Sequence, residues 1–197
     1  MAAGPRVLFL HGLETDPRKQ KGSEDGSLTK AFGAAVHGPD FELGTADLSR
    51  ANSVARNFLR LPAVHLAALL SATSAVAGGV RRLPLRLAVI GAGAPWCGIA
   101  ANYEHLKGEA IELSLERCVL QARKSMDMYK PDVLSGMSWG GAVASLLVQR
   151  GHWTGPVVLL APAGQQLATY LSEGSKSRAE VRLAFCAVRA PPGVRMP

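Results

Sequence analysis

The sequence predicts an α/β fold: a mostly parallel sheet with helices on both faces and one helical insertion. Three observations carry this expectation. Apolar runs that read as buried strands alternate with helical segments along the chain. The connections between them are rich in Gly, Pro and Asp, residues that break regular structure. Hydrophobic residues make up 48% and charged residues 19% of the 197, which allows a real core and argues against a disordered chain.

Arg6-Val7-Leu8-Phe9-Leu10-His11-Gly12 is a continuous apolar run closed by glycine, the pattern of a buried parallel strand. Residues 13–26 are polar and rich in Gly, Pro, Asp and Lys, and read as a loop. Ser27 can cap a short helix through Phe32. Ala34–His37 is a second strand, stopped by Gly38-Pro39-Asp40. Residues 46–80 read as mostly helical with a break near Pro62, and Leu85–Ile90 as a strand running into Gly91-Ala92-Gly93-Ala94-Pro95. Glu109–Tyr129 is the clearest helix, because Ile111, Leu115, Cys118, Val119, Ala122 and Met126 recur at helical spacing. Pro131 ends it. Val133–Gly136 is a short strand, Gly140–Gln149 a small-residue helix, and Pro156–Ala161 another buried strand. Glu180–Cys186 reads as one more strand. The expected organisation is a domain over 1–172, with 46–82 as a helical insertion or cap, followed by an irregular basic tail over 173–197.

Composition narrows the functional classes. Cys97, Cys118 and Cys186 are too few for a disulfide scaffold and include no CxxC pair to suggest zinc; no metal or organic cofactor is implied. The net charge of +7 is spread along the chain and matches no nucleic-acid-binding motif. Were such binding present, it should weaken steeply with salt. The first residues lack a basic stretch followed by an apolar run, which points to a cytoplasmic chain. Leu61–Val80 carries no Asp, Glu, Lys or Arg and is about long enough to cross a bilayer, but alanine dominates it. A buried or cap helix is expected there rather than a membrane span. Leu87-Ala88-Val89-Ile90-Gly91-Ala92-Gly93 has the start of a dinucleotide-binding turn, yet Trp96 stands where the third glycine belongs.

Gly136-Met137-Ser138-Trp139-Gly140-Gly141 is the segment that carries chemistry. It is a G-x-S-x-G sequence between a strand and a helix. Such a serine sits on a tight corner with its hydroxyl projecting from the sheet. Side chains at 136 or 140 would collide with neighbouring backbone, so glycine is needed at both. The helix that follows directs its N-terminus at the hydroxyl, which favours negative charge there.

With Leu8-Phe9-Leu10-His11-Gly12-Leu13-Glu14 before it and Pro156–Ala163 after it, this motif resembles the α/β-hydrolase superfamily, and small serine esterases in particular. Gly38-Pro39-Asp40 fits the same pattern. The resemblance covers residues 6–41 and 85–165. It implies a hydrolase of carboxylic esters or related acyl compounds, with a small-molecule substrate and an acyl-enzyme on Ser138. The backbone N–H groups of Trp139 and Leu13 would hold the oxyanion. His11 would order its loop. Asp132 would lie at the far end of the strand, on the surface.

The chain departs from the family after Ser138. The family order is Ser, then Asp or Glu, then His. Here the only later histidine is His152, about 20 Å away along the helix, and no aspartate follows Asp132. His105 is the replacement base left, if its loop lies at the sheet edge that carries Ser138, a mouth that Glu14, Cys97, Tyr103 and Glu104 could share. Three alternatives stand: a truncated gene product, a non-catalytic binding protein of the same fold, or a base from elsewhere. Oligomeric state is not legible.

Overall fold

The computed structural model describes residues 4–13, 35–80, 85–171 and 180. Its sheet has four strands: β1 (Arg6–Leu10), β2 (Ala35–His37), β3 (Val133–Met137) and β4 (Val157–Leu160). All are parallel and lie in the order β2-β1-β3-β4. Leu10 pairs with Gly136 and Met137 with Leu160, so the strands reach their carboxyl ends together. Leu8, Phe9 and Leu10 are all buried on β1, as are Leu134 and Ser135 on β3. Successive side chains of a strand point to opposite faces, so both faces of the central pair are covered. On β4 only Val157 and Leu159 are half-buried, while Val158 and Leu160 are exposed, as on the outer strand of a sheet.

Six helices complete the described chain: α1 (Val54–Leu59), α2 (Pro62–Val80), α3 (Leu85–Ala101), α4 (Tyr103–Tyr129), α5 (Trp139–Gln149) and α6 (Gly164–Tyr170). The main core joins Ile111, Leu115, Cys118, Val119 and Ala122 of α4 to Val143, Leu146 and Leu147 of α5. Leu8, Leu10 and Leu134 of the sheet close it, with Phe41 and Leu43 from the segment after β2. The stripe expected on α4 is therefore the buried one, with Met126 half-buried at its end. Its C-cap, Lys130, takes a left-handed conformation at φ 50° just before Pro131. Buried Asn57 of α1 donates to Ser114 Oγ at 2.7 Å and accepts from Arg117 at 2.8 Å, which pins α1 to α4. Arg150, after α5, donates to both oxygens of Glu116 and to Glu180; Glu116 above all raises its guanidinium beyond an already high value.

Two expectations are overturned. Leu85–Ile90 is not a strand: with Gly91–Ala101 it forms α3. A short apolar run fits a strand or a packed helix equally well until its partner is known. Here the partner is α2. Ser71 Oγ donates to Ala92 O at 2.7 Å, and the small residues Ser74 and Gly91 face each other along the seam. Pro95 lies inside α3 and forgoes one backbone bond. The long helix also begins at Tyr103 rather than Glu109. The helical region thus runs as a hairpin to Ala101, beyond the insertion expected over 46–82. Among the described side chains of α2 only Val64 and Ala67, in its first turns, are buried. No helix among the described residues is long and apolar enough to cross a membrane. The helix expected over 27–32 lies outside the described residues. Of the strand expected over 180–186 only Glu180 is described, and it is helical.

Leu115 and Leu120 share α4 but face inward and outward respectively. Leu115→Ala should lower unfolding free energy by about 3 kcal/mol, and Leu120→Ala by less than about 0.5, in urea titrations. Equal losses would contradict the packing.

Asp132 at the entry to β3 accepts from Arg6 N–H at 2.8 Å and from the Arg6 guanidinium at 3.4 Å, and is exposed. The Arg6 backbone bond, then its side chain, hold the carboxyl below its usual 3.8. A lowered carboxyl pKa contributes stability above the unfolded value, lost as pH falls through the folded one. Asp132→Asn should therefore remove a small part of the acid-side loss of stability and leave the plateau at neutral pH nearly level. A carboxyl titration by NMR at or above 3.8 would refute the assignment.

Candidate active site

β3 ends at Met137, α5 begins at Trp139, and Ser138 alone makes the corner between them. Its backbone sits at φ 51°, ψ −115°. Side-chain-bearing residues adopt this region only when their surroundings compel it. The compulsion is visible on three sides. A methyl group added to Gly136 would come within 2.5 Å of Gly140 O, and one on Gly140 would run into the Leu10 carbonyl. One on Gly141 would meet Pro162 at 2.7 Å. Ser138 N–H donates to Leu160 O at 3.1 Å, and Ser138 O accepts from Ala163 N–H at 2.9 Å. Ala161, between those partners, is itself left-handed at φ 42°. The expectation that glycine is required at 136 and 140 holds, because backbone occupies the space their side chains would take.

The loop after β1 closes over the same corner. Gly12 brings its backbone so near that a Cβ there would stand 3.1 Å from Ser138 Cβ and 3.6 Å from Ser138 Oγ. The buried His11 ring holds this loop. Its Nδ1 lies 2.8 Å from Gly12 O, and its Nε2 accepts from Phe41 N–H at 3.0 Å. Because a backbone N–H can only donate, the ring is the neutral tautomer protonated at Nδ1. Its nitrogens are committed to ordering the chain.

Ser138, Trp139 and Leu13 line one cavity of about 380 Å³. Its walls are largely apolar: Val54, Ile111, Ala163, Leu167 and Tyr170 share it, with Thr45, Gln166 and Lys107 as the further polar residues. Trp139 is the first residue of α5, so its backbone N–H has no acceptor within the helix. Its indole N–H is buried without a partner at hydrogen-bond geometry. Cys118 lies close beneath. Burial pushes that thiol up to about 12, and the nearby indole offsets it slightly. A thiol so placed is inert.

The structure brings Ser138, Trp139 and Leu13 together and leaves the candidate base aside. The segment leading to His105 is helix α3 rather than a strand, so the loop position expected for it does not exist. It lies in the first turn of α4, exposed, with Nε2 3.3 Å from Glu109 Oε1. It does not line the cavity, and neither do Cys97, Tyr103 and Glu104. His152 is exposed beyond α5, and Glu14 lies outside the described residues. Lys107 went unnoticed in the sequence. Its ammonium stands 5.0 Å from the Tyr170 ring centroid and 3.5 Å from Glu104. One turn before Ile111, it continues the inward stripe of α4, and that spacing could have revealed it. None of the eleven lining residues is His, Asp or Glu, and no cluster of metal-ligating side chains occurs among the described residues. Comparison of the chain with family models, curated proteins and solved structures finds no match.

Gly140→Ala should destabilise the fold by on the order of 3 kcal/mol or more, because backbone rather than a flexible side chain blocks the methyl group. Gly98→Ala in α3, where nothing lies within 4 Å, should stabilise by about 0.5–1 kcal/mol. Thermal melts of the two variants that shift in the same direction would refute the packing at the corner.

Proposed function

We propose that the chain is a serine hydrolase of the α/β-hydrolase kind, acting on carboxylic esters or related acyl substrates. The observation that carries this reading is the Ser138 corner: a strained, left-handed serine between a parallel strand and a helix, opening into an apolar cavity. Strain of this kind is retained where it places a reactive group. In the proposed reaction Ser138 Oγ attacks the acyl carbonyl. Negative charge then develops on the carbonyl oxygen, near the N-terminus of α5. The Trp139 N–H and the Leu13 backbone would stabilise it there. Collapse expels the alcohol and leaves the acyl group on Ser138, and water releases the acid. The Ser138 proton passes to the departing alcohol, and the water's proton returns to Ser138. The apolar walls suit the acyl chain.

A second reading is favoured by one specific observation. No side chain of a type that serves as the family's base or acid lines the cavity among the described residues. The same fold would then hold an acyl compound without turning it over.

A fluorophosphonate probe separates the two. Labelling of the folded protein that disappears in Ser138→Ala, with turnover of a short aryl ester lost in parallel, is the expected result. Well-folded protein that takes no label would rule out catalysis by this chain and leave the binding reading. The Ser138→Ala variant should melt at or above the parent temperature, since its side chain borders the cavity and its hydroxyl makes no hydrogen bond among the described residues.

A further inference from the structure

We propose that the α2–α3 hairpin lies flat in the headgroup region of an anionic lipid bilayer and docks the protein there. The two helices pack through small residues: Ser71 donates to Ala92 O, and Gly91 opposes Ser74. Away from this seam each helix carries an apolar stripe at helical spacing. On α2 it comprises Leu66, Leu69, Leu70 and Val76, and on α3 Val89, Ile90 and Trp96. These residues are far from covered; Leu69 is 61%, Val76 67% and Ile90 64% exposed. Among the described side chains of the hairpin the only ionisable ones are His65 and Cys97. Helices so poor in charged residues belong in a core or in lipid. Among the described residues this pair is rooted at one end, where Leu61, Val64 and Ile99 pack against Leu106 and Ala110 with Phe58 of α1 beside them. An exposed apolar surface of this extent on a folded protein marks an interaction face.

Charge selects the occupant. From residue 48 to residue 103 the sequence has no Asp or Glu and six arginines: Arg50, Arg56, Arg60, Arg81, Arg82 and Arg86. Arg50 is paired with Asp47, which leaves five arginines on the segments at the two ends of an exposed apolar surface that carries a tryptophan, a composition suited to an anionic membrane surface. The helices are too short or too polar to cross it. The docked hairpin would hold the cavity close to the lipid, because its root on α4 adjoins Lys107, which lines that cavity. Docking stands independently of whether Ser138 becomes acylated.

Co-sedimentation of the full chain with phosphatidylcholine vesicles, with and without phosphatidylserine, tests the proposal. Binding should rise on the order of tenfold or more with phosphatidylserine and fall as salt is added. The combined substitutions Leu69→Gln, Val76→Gln and Ile90→Gln should abolish it. Leu120→Gln with Met128→Gln, at exposed positions on α4, should leave it intact. Brominated acyl chains should quench the parent protein's fluorescence but not that of Trp96→Phe, a readout that does not depend on the triple variant folding. Absence of phosphatidylserine-dependent binding, or binding that survives the triple substitution in folded protein, would overturn the proposal. So would lipid-free dimerisation abolished by the same substitutions, which would assign the face to a second copy of the chain.

Discussion

Three lengths of backbone pass one another at the corner of Ser138 with no side chain between them, and the rest of the site follows from that crossing. The carbonyl of Leu10 at the end of β1 lies where a Gly140 side chain would be. The start of α5 occupies the space beside Gly136, and Pro162 presses on Gly141. With those gaps closed, α5 can only leave β3 at one angle, and the residue at the turn takes up the strain. Ser138 adopts a left-handed conformation that costs about 1–3 kcal/mol and is held by bonds to Leu160 and Ala163. The angle of α5 in turn sets Val143, Leu146 and Leu147 against α4, so core and site share one constraint.

The surroundings of the serine are apolar wall on one side and oriented backbone on the other. Neutral His11 spends both ring nitrogens in tying the loop after β1 to Gly12 and to Phe41. That tie keeps Gly12 against the serine and Leu13 in the cavity wall. Donors aimed at developing charge in a low-dielectric cavity are worth more than the same groups in water. The formal charge at this wall is that of Lys107, beside Tyr170. The proposed hydrolysis needs a proton acceptor in addition. His105, in its exposed pair with Glu109, is not placed to be one.

The hairpin obeys different physics from the body. The sheet, α4 and α5 bury large aliphatic side chains against one another. The α2–α3 pair instead packs through Ser, Ala and Gly and leaves Leu66, Leu69, Leu70, Ile90 and Trp96 outside. Among the described residues such a hairpin is held to the core at its root, by Leu61, Val64 and Ile99 against α4 and Phe58. The proposed lipid surface would supply the apolar environment that the protein itself does not.

By itself the sequence determined the parts whose signals are local. The apolar run at 6–12, the strand before Gly136, the strand after Pro156 and the stripe of α4 were legible because period and composition act over a few residues. The corner was legible too, since steric exclusion at Gly136 and Gly140 is a property of the turn itself. Tertiary structure decided what depends on partners. Leu85–Ile90 carries a run that either a sheet or a helix would accept, and packing against α2 made it helical. That choice removed the loop on which His105 would have reached Ser138. It also placed Lys107, one turn before Ile111, at the cavity. Which apolar face finds a partner is a matter of what folds beside it, and no local pattern encodes that.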